Sequence, residues 1–447
     1  IQHSIAHLNE GHAAFLLLER IRELVLSGLS FEEAAGVARE TSVFTTHTPV
    51  PAGTDVFPYP LIDKYFGKYY AHLGISRDAF LALGKNPDEP SKGFNMTAFA
   101  LRMTRYHNGV SKRHGEVARH MWKDLWPDLP VSRVPIGHVT NGVHIPTWIE
   151  PKMELLLDRY LQRDWLIKRD DPSIWEGVDN IPDAELWYIH NWLKRKLVNI
   201  VRERARQRWA KEPSNPNLIL AEGVMLDPSI LTIGFARRFA DYKRADLIFN
   251  DLQRFKHLLK DRWKPVQFIF AGKAHPNDDS GKQVLQRVFK HALDPDMGGR
   301  IAFVENYGEQ LAQYMTHGVD LWLNNPLPPM EASGTSGMKA ALNGVPQLSI
   351  LDGWWVEGFN GKNGWAVKHE AEDGDPNKRD ADAIYTLLEK DIVPLYYRVS
   401  ADGIPHGWVQ VMKESMKSNA PRFSAQRMVK EYIQQYYSKI FQDFKRA

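Results

Sequence analysis

The chain has no cysteine among its 447 residues. That removes disulfides, Cys-ligated zinc, iron–sulfur clusters and thiol catalysis together, and it fits a reducing compartment. Charge of one sign is also lacking. The 57 Lys+Arg against 54 Asp+Glu leave a formal net charge of +3, too small an excess at this size to imply nucleic-acid binding by charge. No stretch reaches about 18 uninterrupted apolar residues, the length a membrane span needs. No signal peptide, internal repeat or low-complexity segment is visible. His7, His12, His47 and His144 lack the spacing of a zinc-protease helix, so no metal site is expected.

What remains is an ordinary globular mixture, 43% hydrophobic and 25% charged. That excludes disorder, collagen and coiled coil as descriptions of the whole chain. At roughly 150 residues per domain, two or three domains are expected. The chain begins with Ile1 and reaches a motif at His7–His12 almost at once; it is expected to be a piece of something longer. The 14 Trp and 16 Tyr are read as core filling, or as platforms for a flat ligand.

Periodicity predicts a helix over Phe15–Leu26, and Ser30 with Glu33 forms a capping box opening a second over Phe31–Arg39. Ser42–Thr45 is β-type and runs into the His47-Thr48-Pro49 loop. Residues 55–92 read as irregular with short helices, 94–122 as helical, and Val134–Val139 as a strand ending in the turn at Thr140–Val143. Pro151–Glu176 reads as a polar connector. Asp183 is expected to cap a long helix to Lys211 whose basic faces, Lys194 included, read as solvated; 212–217 read as a linker. Beyond it the texture alternates. Ser229–Phe235, Val266–Ala271, Ile301–Val304, Asp320–Asn324 and Pro346–Ile350 are strand-like. Arg244–Lys260, Gly281–Leu293, Glu309–His317 and Ser336–Asn343 are helical, and a last helical stretch from Ser415 is broken at Pro421. That alternation means βαβ units and a parallel sheet, with ligands beyond the carboxyl ends of the strands.

Three clusters carry chemistry. Gly234–Arg244 holds four cations, Arg237, Arg238, Lys243 and Arg244, just after an apolar strand. Like charges gathered there need an anion, and Arg and Lys suit phosphate. Glu331–Ala340 places small residues at a helix start with Lys339 in its opening turns. The turn can offer N–H groups to an anion, and a half-buried lysine near cations is a nucleophilic amine. Asp352 and Glu357 flank Trp354-Trp355, a pattern open to sugar binding or, less well supported, to a glycosidase pair.

Taken in order, the motifs His7-Leu8-Asn9-Glu10-Gly11-His12, Thr46-His47-Thr48, Thr140-Asn141-Gly142, Phe235–Arg244, Glu305-Asn306-Tyr307, Glu331–Lys339 and Leu342-Asn343-Gly344 span nearly the whole chain. In these it resembles the α-glucan phosphorylases (glycogen, starch and maltodextrin phosphorylases) of the short bacterial and archaeal type. The resemblance implies an α/β fold of GT-B type, two Rossmann-like domains facing a cleft, the first represented only by its C-terminal part. The implied domains are 1–145, then 146–415 including a helical connector over 150–225, then a terminal helix over 416–447 packing back towards the first. It implies covalent pyridoxal 5′-phosphate with Lys339 as its Schiff-base lysine. Thr335, Ser336, Gly337, Trp148, Tyr307 and Arg238 match further cofactor contacts. Arg237, Arg238, Lys243 and His47 join Lys339 as the implied catalytic set. Asn141, Tyr242, Glu331, Ala332, Ser333 and Gly334 match groups that hold substrate.

The implied reaction is reversible, retaining phosphorolysis of a terminal α-1,4-glucosyl unit. Its partners are an α-1,4-glucan or maltodextrin, inorganic phosphate and glucose 1-phosphate, without nucleic acid or membrane. Family members are often dimers, so a homo-oligomer is an expectation, as is a cytoplasmic location. Departures are Arg237 where many members have Lys, Ala240 for a His of the long enzymes, Pro146-Thr147 for an Arg pair, and Thr-Ser-Gly-Met-Lys for Thr-Gly-Asn-Met-Lys. The family's N-terminal part, with its glycine-rich phosphate loop, has no counterpart here. Two alternatives stand beside this reading: a nucleotide-sugar glucan synthase on the same fold, and a non-catalytic glucan-binding fragment.

Overall fold

A computed structural model describes residues 4–50, 53–89, 91–211, 216–368 and 374–444. The described chain divides into two units. Unit 1 takes residues 4–141, 329–333 and 428–444; unit 2 takes 142–328 and 334–427. The first boundary thus falls at 141/142, where 145/146 was expected. Of the terminal stretch expected as one piece, 416–427 belong to unit 2 and only the part from Met428 to unit 1.

Unit 1 is built on strands β1 (Ala6–Asn9), β2 (Ser42–Thr45), β3 (Val56–Phe57), β4 (Phe94–Asn95), β5 (Tyr106–Gly109) and β6 (Ile136–His138). Four of them form a parallel sheet in the order β1-β2-β5-β6, and β3 and β4 pair separately. The helix Phe15–Leu26 buries Leu17, Leu18 and Ile21. The next helix, Phe31–Glu40, has the expected capping box: Ser30 accepts from the Glu33 N–H while the Glu33 carboxylate accepts from the Ser30 N–H. Residues 94–122 are not one helix. They form β4, the helix Met96–Met103 capped by Asn95, strand β5, and the helix Lys112–Met121 capped by Ser111. Strand β5 is polar yet buried because its neighbours satisfy it. The His107 ring nitrogens lie 3.0 and 2.9 Å from the carbonyls of Pro135 and Thr104, and Asn108 accepts from the Thr45 hydroxyl at 2.8 Å.

Unit 2 holds strands β7 (Leu231–Ala236), β8 (Val266–Ala271), β9 (Ile301–Val304), β10 (Leu321–Asn324), β11 (Gln347–Ile350) and β12 (Gly364–Val367). All five pairings are parallel, in the order β12-β11-β10-β7-β8-β9. Counted within the unit this is 3-2-1-4-5-6 read from the other edge, the order of doubly wound sheets. The order reverses between β7 and β10, and a crevice at their carboxyl ends is where such sheets bind ligands. Strands β7 to β11 are buried throughout, which explains their continuous apolar runs.

Pro151–Glu176 is no loose connector. The helix Pro151–Tyr160 buries Met153, Leu156 and Leu157, and the Trp165 and Trp175 rings meet edge to face. Six of the 14 tryptophans, Trp165, Trp175, Trp322, Trp354, Trp355 and Trp408, are fully buried. Asp183 opens the 29-residue helix Asp183–Lys211. Lys194 of that helix, expected at a solvated face, is fully buried against Asp320. Residues 212–215 of the expected linker lie outside the described residues, and Pro216 and Asn217 already belong to the helix Pro216–Ala221.

Candidate functional site

In unit 2 two of the expected residues, Arg237 and Tyr307, meet the ends of the strands where the order reverses. Arg237 follows β7, and its guanidinium donates to the Asn324 side chain at the end of β10, bridging the two strands of the reversal. Arg238 is exposed. Lys243 is 9% exposed, with its ammonium 4.5 Å from the Tyr242 ring centroid. Tyr307 stands after β9, its hydroxyl 3.5 Å from the Ala236 carbonyl at the end of β7, and burial pushes its phenol up to about 12.

The fourth cation is structural. Arg244 has φ 48, a left-handed backbone, and is buried. Its guanidinium donates to the carbonyls of Asn325 and Pro326 at 3.0 and 2.8 Å and to the Asp380 carboxylate at 2.7 Å. It fastens the loop after β10, which sets it apart from the other three cations of the cluster.

Lys339 lies in the helix Ser336–Leu342. Its ammonium sits 3.5 Å from the Trp148 ring centroid, and no carboxylate is within ion-pair distance among the described residues. Burial lowers its pKa to about 8, with Glu309 opposing the shift. The pairing with Trp148 is held by Asn343. The Asn343 side-chain amide donates to the carbonyls of Trp148 and Lys339 at 2.8 and 2.9 Å, and its oxygen accepts from the Glu150 N–H at 2.9 Å. Sequence reasoning quoted Asn343 in a motif without giving it work; a buried Asn beside a left-handed Gly344 was the available signal. Gly337 leaves room for its neighbours, because a Cβ there would run into the Gln347 carboxamide and force it to shift. Thr335 and Ser336 are half-buried, and Gly334 has φ 73.

Trp354 and Trp355 are core residues, 1% and 0% exposed. They are not platforms for a sugar between Asp352 and Glu357, and the glycosidase-pair reading loses its support. A cavity of about 280 Å³ beyond β9 holds none of the expected residues. Its charges serve one another, with Arg208 bridging Glu222 and Glu305 at 2.8 and 2.7 Å.

In unit 1, Glu331, Ala332 and Ser333 lie on the short crossing segment. Glu331 and Ser333 are each 4% exposed. The Ala332 carbonyl accepts from the Ser111 hydroxyl at 2.6 Å, and the buried Ser333 hydroxyl has no partner among the described residues. The Asn141 N–H donates to the Val110 carbonyl at 3.0 Å. His47 follows β2; its ring meets the Asn9 side chain, and its N–H donates to the Glu10 carboxylate at 2.7 Å. Burial lowers the His47 pKa, and His114 nearby is pushed down to about 4 by the same cause.

The family model for carbohydrate phosphorylase matches residues 1–361. The chain belongs to the carbohydrate phosphorylase family. It is 49% identical over 437 residues to a glycogen phosphorylase of Aquifex aeolicus, covering 98% of this chain and 63% of that protein. It is 45% identical over 443 residues to a maltodextrin phosphorylase of Thermococcus litoralis, covering 98% and 51%. A glycogen phosphorylase of Mycobacterium tuberculosis is 43% identical over 453 residues, covering 99% and 52%. The chain thus spans between half and two thirds of the length of these relatives. Among its described residues no helix is long and apolar enough to cross a membrane.

Proposed function

We propose that this phosphorylase chain carries the cofactor and phosphate machinery of an α-1,4-glucan phosphorylase of GT-B type, which releases glucose 1-phosphate from a glucan end with retention. The observation that carries the reading is Lys339: an amine with its pKa lowered to about 8, pressed on an indole and without a carboxylate. About a tenth of such an amine is neutral at pH 7, against less than a thousandth for an ordinary lysine. That is the chemistry an aldehyde cofactor needs of its anchor.

The residues present fit pyridoxal 5′-phosphate. Trp148 offers a flat face beside the amine, Gly337 keeps the turn before Lys339 free of a side chain, and three cations stand within one loop. When bound, the cofactor supplies a phosphate that shares a proton with a substrate phosphate. Two phosphates repel unless cations hold them, and Arg237, Arg238 and Lys243 are the groups for that. Arg237 is aimed by Asn324. The substrate phosphate then protonates the glycosidic oxygen; the C1–O bond to the chain breaks and a C1–O bond to the phosphate forms on the same face. No protein carboxylate acts as acid, so Glu331, with Asn141, Ser333 and Gly334, is left to bind sugar hydroxyls, and the His47 carbonyl to face the positive charge developing on the sugar.

The test is borohydride reduction after incubation with pyridoxal 5′-phosphate, mass mapping of the lysines, and assay of glucose 1-phosphate from maltodextrin and phosphate. An adduct on Lys339 together with product supports the proposal. Glucan elongation from a nucleotide sugar without an adduct overturns it, and glucan binding without either reaction leaves a binding module.

A further inference from the structure

Among the described residues of unit 1, Glu10 is the one non-glycine residue with a positive φ. Its φ 72 and ψ 163 fall in a region essentially reserved for glycine. The strain is held by the sheet on one side, where the Glu10 N–H donates to the Thr45 carbonyl at 2.8 Å. On the other side its own carboxylate does the work. One oxygen accepts from the Gly11 N–H at 3.1 Å; the other accepts from the His47 N–H at 2.7 Å and from the Thr48 hydroxyl at 3.1 Å. The preceding residue, Asn9, meets the His47 ring. A left-handed turn after β1 therefore grips, through one carboxylate, His47 and Thr48 in the loop that follows β2.

Strained non-glycine backbone persists where the surroundings over-determine it, and observed outliers of this kind cluster at working sites. A glycine at position 10 would take this backbone freely but would not hold the loop. We propose that Glu10 is a positioning residue of the reaction: its carboxylate fixes the backbone at His47 and Thr48, so that the His47 carbonyl keeps one orientation. The proposal rests on the phosphorylase reading, in which that carbonyl faces the sugar. Glutamine is the informative substitution, because its –NH2 would face either the Gly11 N–H or the His47 N–H and Thr48 hydroxyl, donor against donor.

The test uses the chain with bound cofactor and compares Glu10→Gln, Glu10→Asp and Glu10→Gly in three readouts. Hydrogen exchange of the His47 amide should speed at least about tenfold in the Gly variant and less in the Gln variant, whose remaining oxygen can still accept from one side, with the Phe44 amide of β2 unchanged. kcat for phosphorolysis should fall by about 100-fold in the Gly variant, the size of effect a misplaced group has, and by less in the Gln variant, while KM for inorganic phosphate stays put. Asp should recover part of the loss. The Gly variant should melt no lower than the parent, since its backbone is relieved. A Gly variant that keeps its kcat, or whose His47 amide exchanges at the parent rate, overturns the proposal. Losses of kcat that follow melting temperature across the three would do so too, making Glu10 merely structural. If the unsubstituted chain elongates glucan from a nucleotide sugar without an adduct on Lys339, the phosphorylase reading has failed and the catalytic role of Glu10 falls with it. The exchange data then still decide whether its carboxylate orders the loop.

Discussion

Two lysines of unit 2 show what burial does to an ammonium with a partner and without one. Lys194 is wholly buried, 2.5 Å from one Asp320 oxygen and donating to the Tyr396 hydroxyl at 2.8 Å. Asp320 also accepts from the Thr232 N–H at 2.7 Å and meets the His190 ring at 2.8 Å. Lys339 is half-buried and has an indole face as its close contact. Burial lowers both pKa values, and only for Lys194 does a neighbouring carboxylate strongly oppose it. A closed network of this kind pins a helix to the starts of β7 and β10. The Lys339 amine, against an indole and without such a network, is the one proposed for bond making. The comparison separates a charge tied into the fold from one that has no carboxylate partner within ion-pair distance among the described residues.

Removing each lysine's function should break different things. The largest effect is expected from Lys339→Ala: no borohydride-trapped adduct at that peptide, glucose 1-phosphate release at background, and urea stability within about 1 kcal/mol of the parent. Next comes Asp320→Asn, which leaves Lys194 buried without its counter-charge and should cost about 3–5 kcal/mol in urea denaturation. The double change Lys194→Met with Asp320→Leu should cost less than that single one, because it removes both charges together. Adduct formation at Lys339 by the folded Asp320→Asn chain at low temperature should survive. If it does not, the two lysines are not independent and the comparison fails.

A third effect is graded by pH. Neutral amine is the reactive form, so the rate of cofactor attachment at Lys339 should rise with pH through a midpoint near 8 and level off above it. A midpoint near the ordinary lysine value of about 10.4 would mean that the amine is solvated. The linked stability has the same sign. Between the folded value of about 8 and the unfolded one the unfolded chain binds more protons, so stability rises with pH across that window.

The sequence was most legible where one signal was enough. Val266–Ala271 and Ile301–Val304 are apolar runs, and both are strands with those bounds; Phe15–Leu26 is a helix with the bounds its period predicts. Strand β5 was hidden because its polar His107 and Asn108 are satisfied by partners far along the chain, which no local pattern carries. β1 and β12 were unassigned for a related reason: each is four residues long and is defined by the strand beside it. Lys194 looked solvated because its Asp320 lies 126 residues away in sequence. The residue types of the proposed site come from the motifs. What they could not give was which cation of Arg237–Arg244 is structural, since only the Asp380 contact of Arg244 decides that.

The smallest expected effect tests the indole itself. A cation over an indole is favoured by about 0.5–2 kcal/mol, which holds the Lys339 pKa up against the burial that pulls it down. Trp148→Leu keeps an apolar wall and removes that attraction, so the midpoint of attachment should move to a lower pH than the parent's, by about half a unit to one unit. Trp148→Ala removes the wall as well and lets water reach the amine, so the midpoint should move the other way, towards 10.4. Opposite shifts from two truncations of one side chain would show that Trp148 both buries the amine and stabilises its charged form. Shifts of the same sign would mean that only one of those roles is present, and that Lys339 differs from Lys194 in its degree of burial rather than in the kind of partner it has.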